Sequence, residues 1–96
     1  MPRNQKLTKV IAGRTIKAVT IEPGSVLVLF EDQSSMKIKT VGAVAVSPGS
    51  KVKSVHEAKE EFKIEFEDGS SATLSLGNPG SSVAVRDKNN TVEYLG

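Results

Sequence analysis

The stretch Phe62-Lys63-Ile64-Glu65-Phe66-Glu67-Asp68-Gly69-Ser70-Ser71-Ala72-Thr73-Leu74-Ser75-Leu76 decides how this chain folds. Apolar side chains take every second position on both sides of Asp68-Gly69. In an extended backbone, that alternation puts Phe62, Ile64 and Phe66 on one face and Lys63 and Glu65 on the other. Asp-Gly tolerates the positive φ angles that short hairpin turns demand. The segment is therefore read as two antiparallel strands joined by a tight turn, with one face packed and one face wet.

The same pattern recurs 36 residues upstream. Laying residues 10–40 over 46–76 without gaps matches Val10 with Val46, Gly13 with Gly49, Lys17 with Lys53 and Val19 with Val55. It also matches Phe30-Glu31-Asp32 with Phe66-Glu67-Asp68, and Ser34-Ser35 with Ser70-Ser71. Identities fall at turns, while the conservative swaps (Ile16/Val52, Val26/Phe62, Val28/Ile64, Ile38/Leu74) fall at alternating apolar sites. Such a pattern is expected of an internal duplication. Each copy, residues 10–40 and 46–76, reads as three strands. Thr15 to Ile21 ends at Glu22-Pro23-Gly24-Ser25, where Pro then Gly suits a type II turn. Val26 to Phe30 follows, and the third strand carries Met36, Ile38 and Thr40 inward, matched by Ala72, Leu74 and Leu76. Gln33 stands where the second copy has Gly69, which makes it the weaker of the two turn signals.

Residues 82–95 make a closing hairpin around Lys88-Asn89-Asn90, where Asn accepts left-handed geometry. Leu7, Val10 and Ile11 have helical spacing, and Gly13 can end a short helix over residues 4–12. Residues 42–50 and 77–81 are connectors, the former with a short strand at Ala43 to Val46. The predicted architecture is one all-β domain spanning residues 1–96: two tandem antiparallel β-meanders plus a C-terminal hairpin, arranged as a sandwich, roll or small barrel.

Composition narrows the function. At 96 residues and 10.2 kDa, the chain supports one core. It has no Cys, which removes disulfides, thiolate metal sites and thiol catalysis. No apolar run reaches the length of a membrane span, and the opening Met-Pro-Arg-Asn-Gln-Lys lacks the apolar centre of a signal peptide. A cytoplasmic protein with no membrane partner is expected.

Motifs with chemistry are few. The turns Glu31-Asp32-Gln33-Ser34-Ser35 and Glu67-Asp68-Gly69-Ser70-Ser71 offer oxygens, but fewer in one loop than a Ca²⁺ site collects, so they read as self-satisfied turns. His56, the sole histidine, reads as a loop residue beside Glu57, Glu60 and Glu61, with no nucleophile tied to it and too few partners for zinc. Gly77-Asn78-Pro79-Gly80-Ser81-Ser82 lacks the Gly-Lys-Ser/Thr ending of a phosphate loop and precedes a strand. No enzyme, cofactor or metal is expected.

Two features point to binding. Leu27 and Leu29 fall where the second copy has Lys63 and Glu65, hence on the outer face of the first copy. The N-terminal segment through Leu7, Val10 and Ile11, a second subunit or another protein is expected to cover them. Charge is also divided. Residues 1–53 hold nine Lys or Arg against three acids, and residues 54–96 hold four against eight, giving balances of +6 and −4 that combine to the net +2. Lys17, Lys37, Lys39, Lys51 and Lys53 form a candidate basic stripe for nucleic acid. Against this, single-strand binding on a β-surface normally adds aromatic stacking platforms, and of the four rings only Tyr94 is expected at the surface. A third class, a small ligand held between the two copies, requires a cavity lined by both. The leading expectation is a non-catalytic module that self-associates or docks on another protein through Leu27 and Leu29.

Ile16-Lys17-Ala18-Val19, Phe66-Glu67-Asp68-Gly69-Ser70-Ser71 and Val83-Ala84-Val85-Arg86-Asp87-Lys88-Asn89 followed by Val92-Glu93-Tyr94-Leu95-Gly96 resemble small uncharacterised bacterial all-β proteins, some of which travel on mobile gene cassettes. The resemblance covers most of residues 13–96 and rests on turn chemistry. It implies a bacterial cytosolic protein and carries over no catalytic or binding residue.

Overall fold

The computed structural model describes residues 4–42, 46–78 and 81–96. After a short helix α1 (Gln5–Ile11) come eight strands: β1 (Ile16–Glu22), β2 (Ser25–Phe30), β3 (Ser35–Val41), β4 (Val52–Ala58), β5 (Glu61–Phe66), β6 (Ser71–Leu76), β7 (Val83–Arg86) and β8 (Val92–Leu95). The predicted strand at Ala43 to Val46 lies outside the described residues except for Val46, which is buried and not in a strand.

All strands belong to one antiparallel sheet, ordered β1-β2-β3-β6-β5-β4, with β7 on β3 and β8 on β7. The ladders of the two halves correspond position by position. Ile16 faces Phe30 and Ala18 faces Leu29 across a bulge at Lys17, and Val52 faces Phe66 and Ser54 faces Glu65 across a bulge at Lys53. Where the halves meet, two pairs centre the contacts: Thr40↔Leu76, which Val41↔Ser75 extends, and the isolated bridge Thr15↔Lys51. Each joins a residue to its own counterpart, so exchanging the halves maps both contacts onto themselves. The bridge brings the first and last strands of the order together at their starts, and the sheet curls without closing into a barrel.

Curling puts every second side chain into one core. Val26, Val28, Phe30, Met36, Ile38, Phe62, Ile64 and Leu74 are buried, as the alternation requires. The ends of the roll need a plug, and α1 supplies it with Leu7 and Ile11, both fully buried. Asn4 caps the helix by accepting from the Leu7 N–H, and Gly13 at φ 87° follows the C-cap residue Ala12.

The turns explain the difference between Gln33 and Gly69. Both hold the same left-handed position, at φ 73° and 89°, and Phe30 and Phe66 accept from their respective N–H groups. A side chain there is strained by its Cβ, whereas glycine is not. Gln33→Gly should therefore stabilise the fold by about 0.5–1 kcal/mol, and Gly69→Ala should destabilise it by about 1 kcal/mol. Urea denaturation of the two variants beside the parent checks both signs.

Candidate functional site

The register shows which outward residues lie side by side. On the outer face of the first half and the C-terminal hairpin, one row runs Thr20, Leu27, Lys37, Ala84, Leu95 and the next runs Ala18, Leu29, Ser35, Arg86, Val92. Leu27 is half-buried, while Leu29 is 36% exposed and Leu95 is 70% exposed. The C-terminal hairpin extends the apolar strip beyond Leu27 and Leu29. The expected cover by the N-terminal segment does not occur. Helix α1 packs against β4 and β8, because Leu7 and Ile11 are drawn into the open end of the core instead.

The five lysines do not form one stripe. Lys37 and Lys39 stand on the outer side of β3, paired with Leu27 and Ser25. Lys17 occupies the β1 bulge, separated from them by β2 with its outward leucines. Lys51 lies at the bridge to Thr15, and Lys53 lines a surface depression on the other half with Glu65 and Glu67. Tyr94, expected at the surface, is half-buried against the core, and its hydroxyl accepts from Asn4 Nδ2 at 2.9 Å. Its ring is thereby engaged as packing.

The corresponding outer face of the second half is polar. His56 lies within β4, paired with Lys63, and not in a loop as expected. Its partner is Glu65, with Nε2 at 3.2 Å from Oε1, while Ser54 Oγ is 3.2 Å from the same Nε2. A hydroxyl–imidazole–carboxylate relay needs both ring nitrogens, one toward the nucleophile and one toward the carboxylate. Here both neighbours meet one nitrogen, and Ser54 is 1% exposed beneath the ring, out of reach of a substrate. The cluster is an outer-face polar contact. Among the described residues, no group of three or more His, Asp or Glu is placed to hold a metal ion. The interior is packed by Phe30, Phe62, Met36 and Ile38, and the concave sites described open on the outer surface.

The best-organised polar site is one the sequence reading missed. The Arg14 guanidinium donates from Nη1 and Nη2 to the two carboxylate oxygens of Glu93, at 3.0 and 3.1 Å, and from Nη1 to Ser34 Oγ at 2.9 Å. Its Nε lies 3.5 Å from Asp32 Oδ2, and its carbon sits 5.9 Å over the Phe30 ring. Glu93 can reach because it is the extra residue of a bulge: Val85 pairs Tyr94 and Arg86 pairs Val92, leaving Glu93 unpaired and re-aimed. Asp32 and Asp68 each accept from the N–H and Oγ of a serine two residues on, which accounts for the oxygens of both turns. Burial pushes the Asp32 carboxyl up, but the Ser34 hydroxyl and N–H together with Arg14 outweigh it and hold the group below its ordinary value. Arg14 has Ser50 at the corresponding position of the other half, so the signal was a difference between the halves next to Gly13 and Gly49.

The helix at Gln5–Ile11 is not long and apolar enough to cross a membrane. Comparison with protein-family models, with curated proteins and with solved structures finds no match.

Replacing Arg14 by Met should cost about 1–3 kcal/mol, since it strands Glu93 and opens the bond to buried Ser34. Arg14→Lys should recover less than half, because a point ammonium cannot make the two-pronged contact; thermal or urea denaturation reads both. The lowered Asp32 value means its contribution is whole at neutral pH and is lost as pH falls through that value. The stability gap between the parent and Asp32→Asn should hold steady at neutral pH and close only as pH falls below the ordinary aspartate range.

Proposed function

We propose that the protein is a non-catalytic interaction module that self-associates through the outer face of β2, β3, β7 and β8. The observation that carries this reading is the row Leu27, Lys37, Ala84, Leu95, flanked by Leu29 and left uncovered by α1. The corresponding positions of β5 carry Lys63 and Glu65 on the same ladder geometry. The scaffold therefore does not require leucine at these sites, and whatever covers them gains the burial of the apolar surface they still expose, at about 25 cal/mol per Å². A second copy is the occupant available to the chain itself. A two-fold contact would bury each strip against the other while the long stems of Lys37 and Lys39 swing their ammonium groups to the rim.

A second reading rests on Lys37, Lys39 and Arg86 sharing this face, which suits the phosphates of a nucleic acid. Titration with single- and double-stranded oligonucleotides at two salt concentrations separates the two. Phosphate contact requires affinity that falls steeply with salt, and absent or salt-independent binding removes this reading.

The test of self-association copies the second half onto the first. Leu27→Lys combined with Leu29→Glu places on β2 the residues β5 already carries, so the variant should fold with an unchanged far-UV circular dichroism spectrum. In sedimentation velocity, the parent should form a concentration-dependent assembly larger than that of the variant. Identical sedimentation of parent and variant at every concentration would sink the proposal.

A further inference from the structure

The edges of the sheet carry a separate inference. In the hairpin of β1 and β2, Glu22 and Ser25 close the turn, so the hydrogen-bonded pairs with β2 fall at Glu22, Thr20 and Ala18. The main-chain groups of Val19 and Ile21 then point away from β2. The counterpart of Val19 in the other half, Val55 of β4, is oriented the same way, and there the groups are taken. Asn4 N–H donates to the Val55 carbonyl at 2.8 Å, and the Val55 N–H donates to Thr8 Oγ1 at 3.0 Å. On β1, among the described residues, the connector bonds at Ile16, which accepts from Gly49 N–H and donates to the Ser50 carbonyl. Beyond the bulge at Lys17, no group among the described residues takes the Val19 or Ile21 main chain, and Ile21 is 57% exposed.

We infer that the β1 edge pairs antiparallel with β1 of a second copy, about a two-fold axis at Thr20. The sequence of β1 complements itself in that register. Val19 meets Ile21 of the other copy twice, each pair exchanging two main-chain hydrogen bonds, and the two Thr20 side chains meet on the opposite face. Val19 and Ile21 belong to the inward set of the ladder, so the pairing continues the apolar side of the sheet and covers Ile21. In that register Glu22 falls opposite Ala18 and Lys17 opposite Pro23 of the other copy, so no like charges face each other. The middle of the edge, Ala18 to Ile21, has no charge and no proline to block such pairing. The contact uses β1, not the Leu27 and Leu29 face, and stands without the reading above.

Two different two-fold contacts on one chain would build a four-subunit ring or an alternating chain. The decisive background is therefore the Leu27→Lys, Leu29→Glu variant, in which the face is disabled. It should still sediment as a dimer. Adding Val19→Pro, which removes an outward N–H while keeping the β1–β2 bonds, should give a monomer; Ile21→Lys, which leaves the main chain whole, should weaken the dimer at least tenfold. Amide exchange at Val19 and Ile21 should slow as protein concentration rises. A monomeric face variant, or a dimer untouched by both edge substitutions, overturns the inference. Failure of the face reading instead shows as parent and face variant sedimenting alike, both still sensitive to Val19→Pro.

Discussion

Unpaired main chain at sheet edges is the constraint on which the rest of this structure depends. Six strands in two equal meanders meet through only two seams, Thr40 against Leu76 and Thr15 against Lys51. Each seam is short, so both halves retain lengths of strand with N–H and C=O groups turned away from their neighbours. A buried main-chain group without a partner costs as much as a lost hydrogen bond, and an exposed one templates further pairing. The segments outside the meanders answer that need. Helix α1 lies along β4 and takes both groups of Val55, and β7 lies along the first part of β3. The same two segments plug the roll, since Leu7, Ile11, Val83 and Val85 all enter the core.

Arg14 makes those two additions cooperate. It lies two residues past the C-cap Ala12, and its fork holds Glu93 of β8 while reaching Ser34 in the β2–β3 turn. Asn4 repeats the connection at the other end of α1 through the Tyr94 hydroxyl. Both ends of the helix are thus tied to the last strand, and neither tie has an equivalent in the second half, where Ser50 and Ser70 stand in place of Arg14 and Ser34. The asymmetry between the halves follows from this: the first half gives up its β3 edge to the hairpin and the second gives up its β4 edge to the helix.

Strands and turns were legible in the sequence because their causes are local. Period-two alternation placed Phe62, Ile64 and Phe66 inward, and Asp68-Gly69 marked its turn, since both signals act within a few residues. The contacts that place α1 were not legible. Its apolar spacing announced a helix, but whether Leu7 and Ile11 cover the outside of β2 or plug the roll depends on the curl of a sheet whose seams join residues 36 apart. Arg14 and Glu93 are 79 residues apart, and the bulge that aims Glu93 leaves no mark in composition. His56 was misplaced for a related reason. The charged run Glu57 to Glu61 looks like a loop, yet β4 continues to Ala58 because its ladder with β5 outweighs the weak strand propensity of those residues. Leu27 and Leu29 were correctly set on the outer face, since comparing the copies exposes a difference that propensity alone does not.

The same comparison explains why the functional question sits on surfaces and not in a cleft. The core side of the ladders is alike in the two halves, so what separates them is confined to outer faces and edges. On the second half the outer face of β5 and the β4 edge at Val55 are internally satisfied: His56 and Lys63 engage Glu65, and α1 engages Val55. On the first half neither is. Leu29 stays exposed, and the main chain of Val19 and Ile21 finds no taker among the described residues. A small domain gains only a few kcal/mol of net stability, so leaving both an apolar strip and a pairing-competent edge on one half incurs an aggregation risk that uncontrolled contact would make costly. The bulge at Lys17 limits how far any strand can extend along that edge, and the charges of Lys37, Lys39 and Arg86 limit what can lie on that face. Such partial protection suits surfaces that meet a defined partner better than surfaces that meet only water.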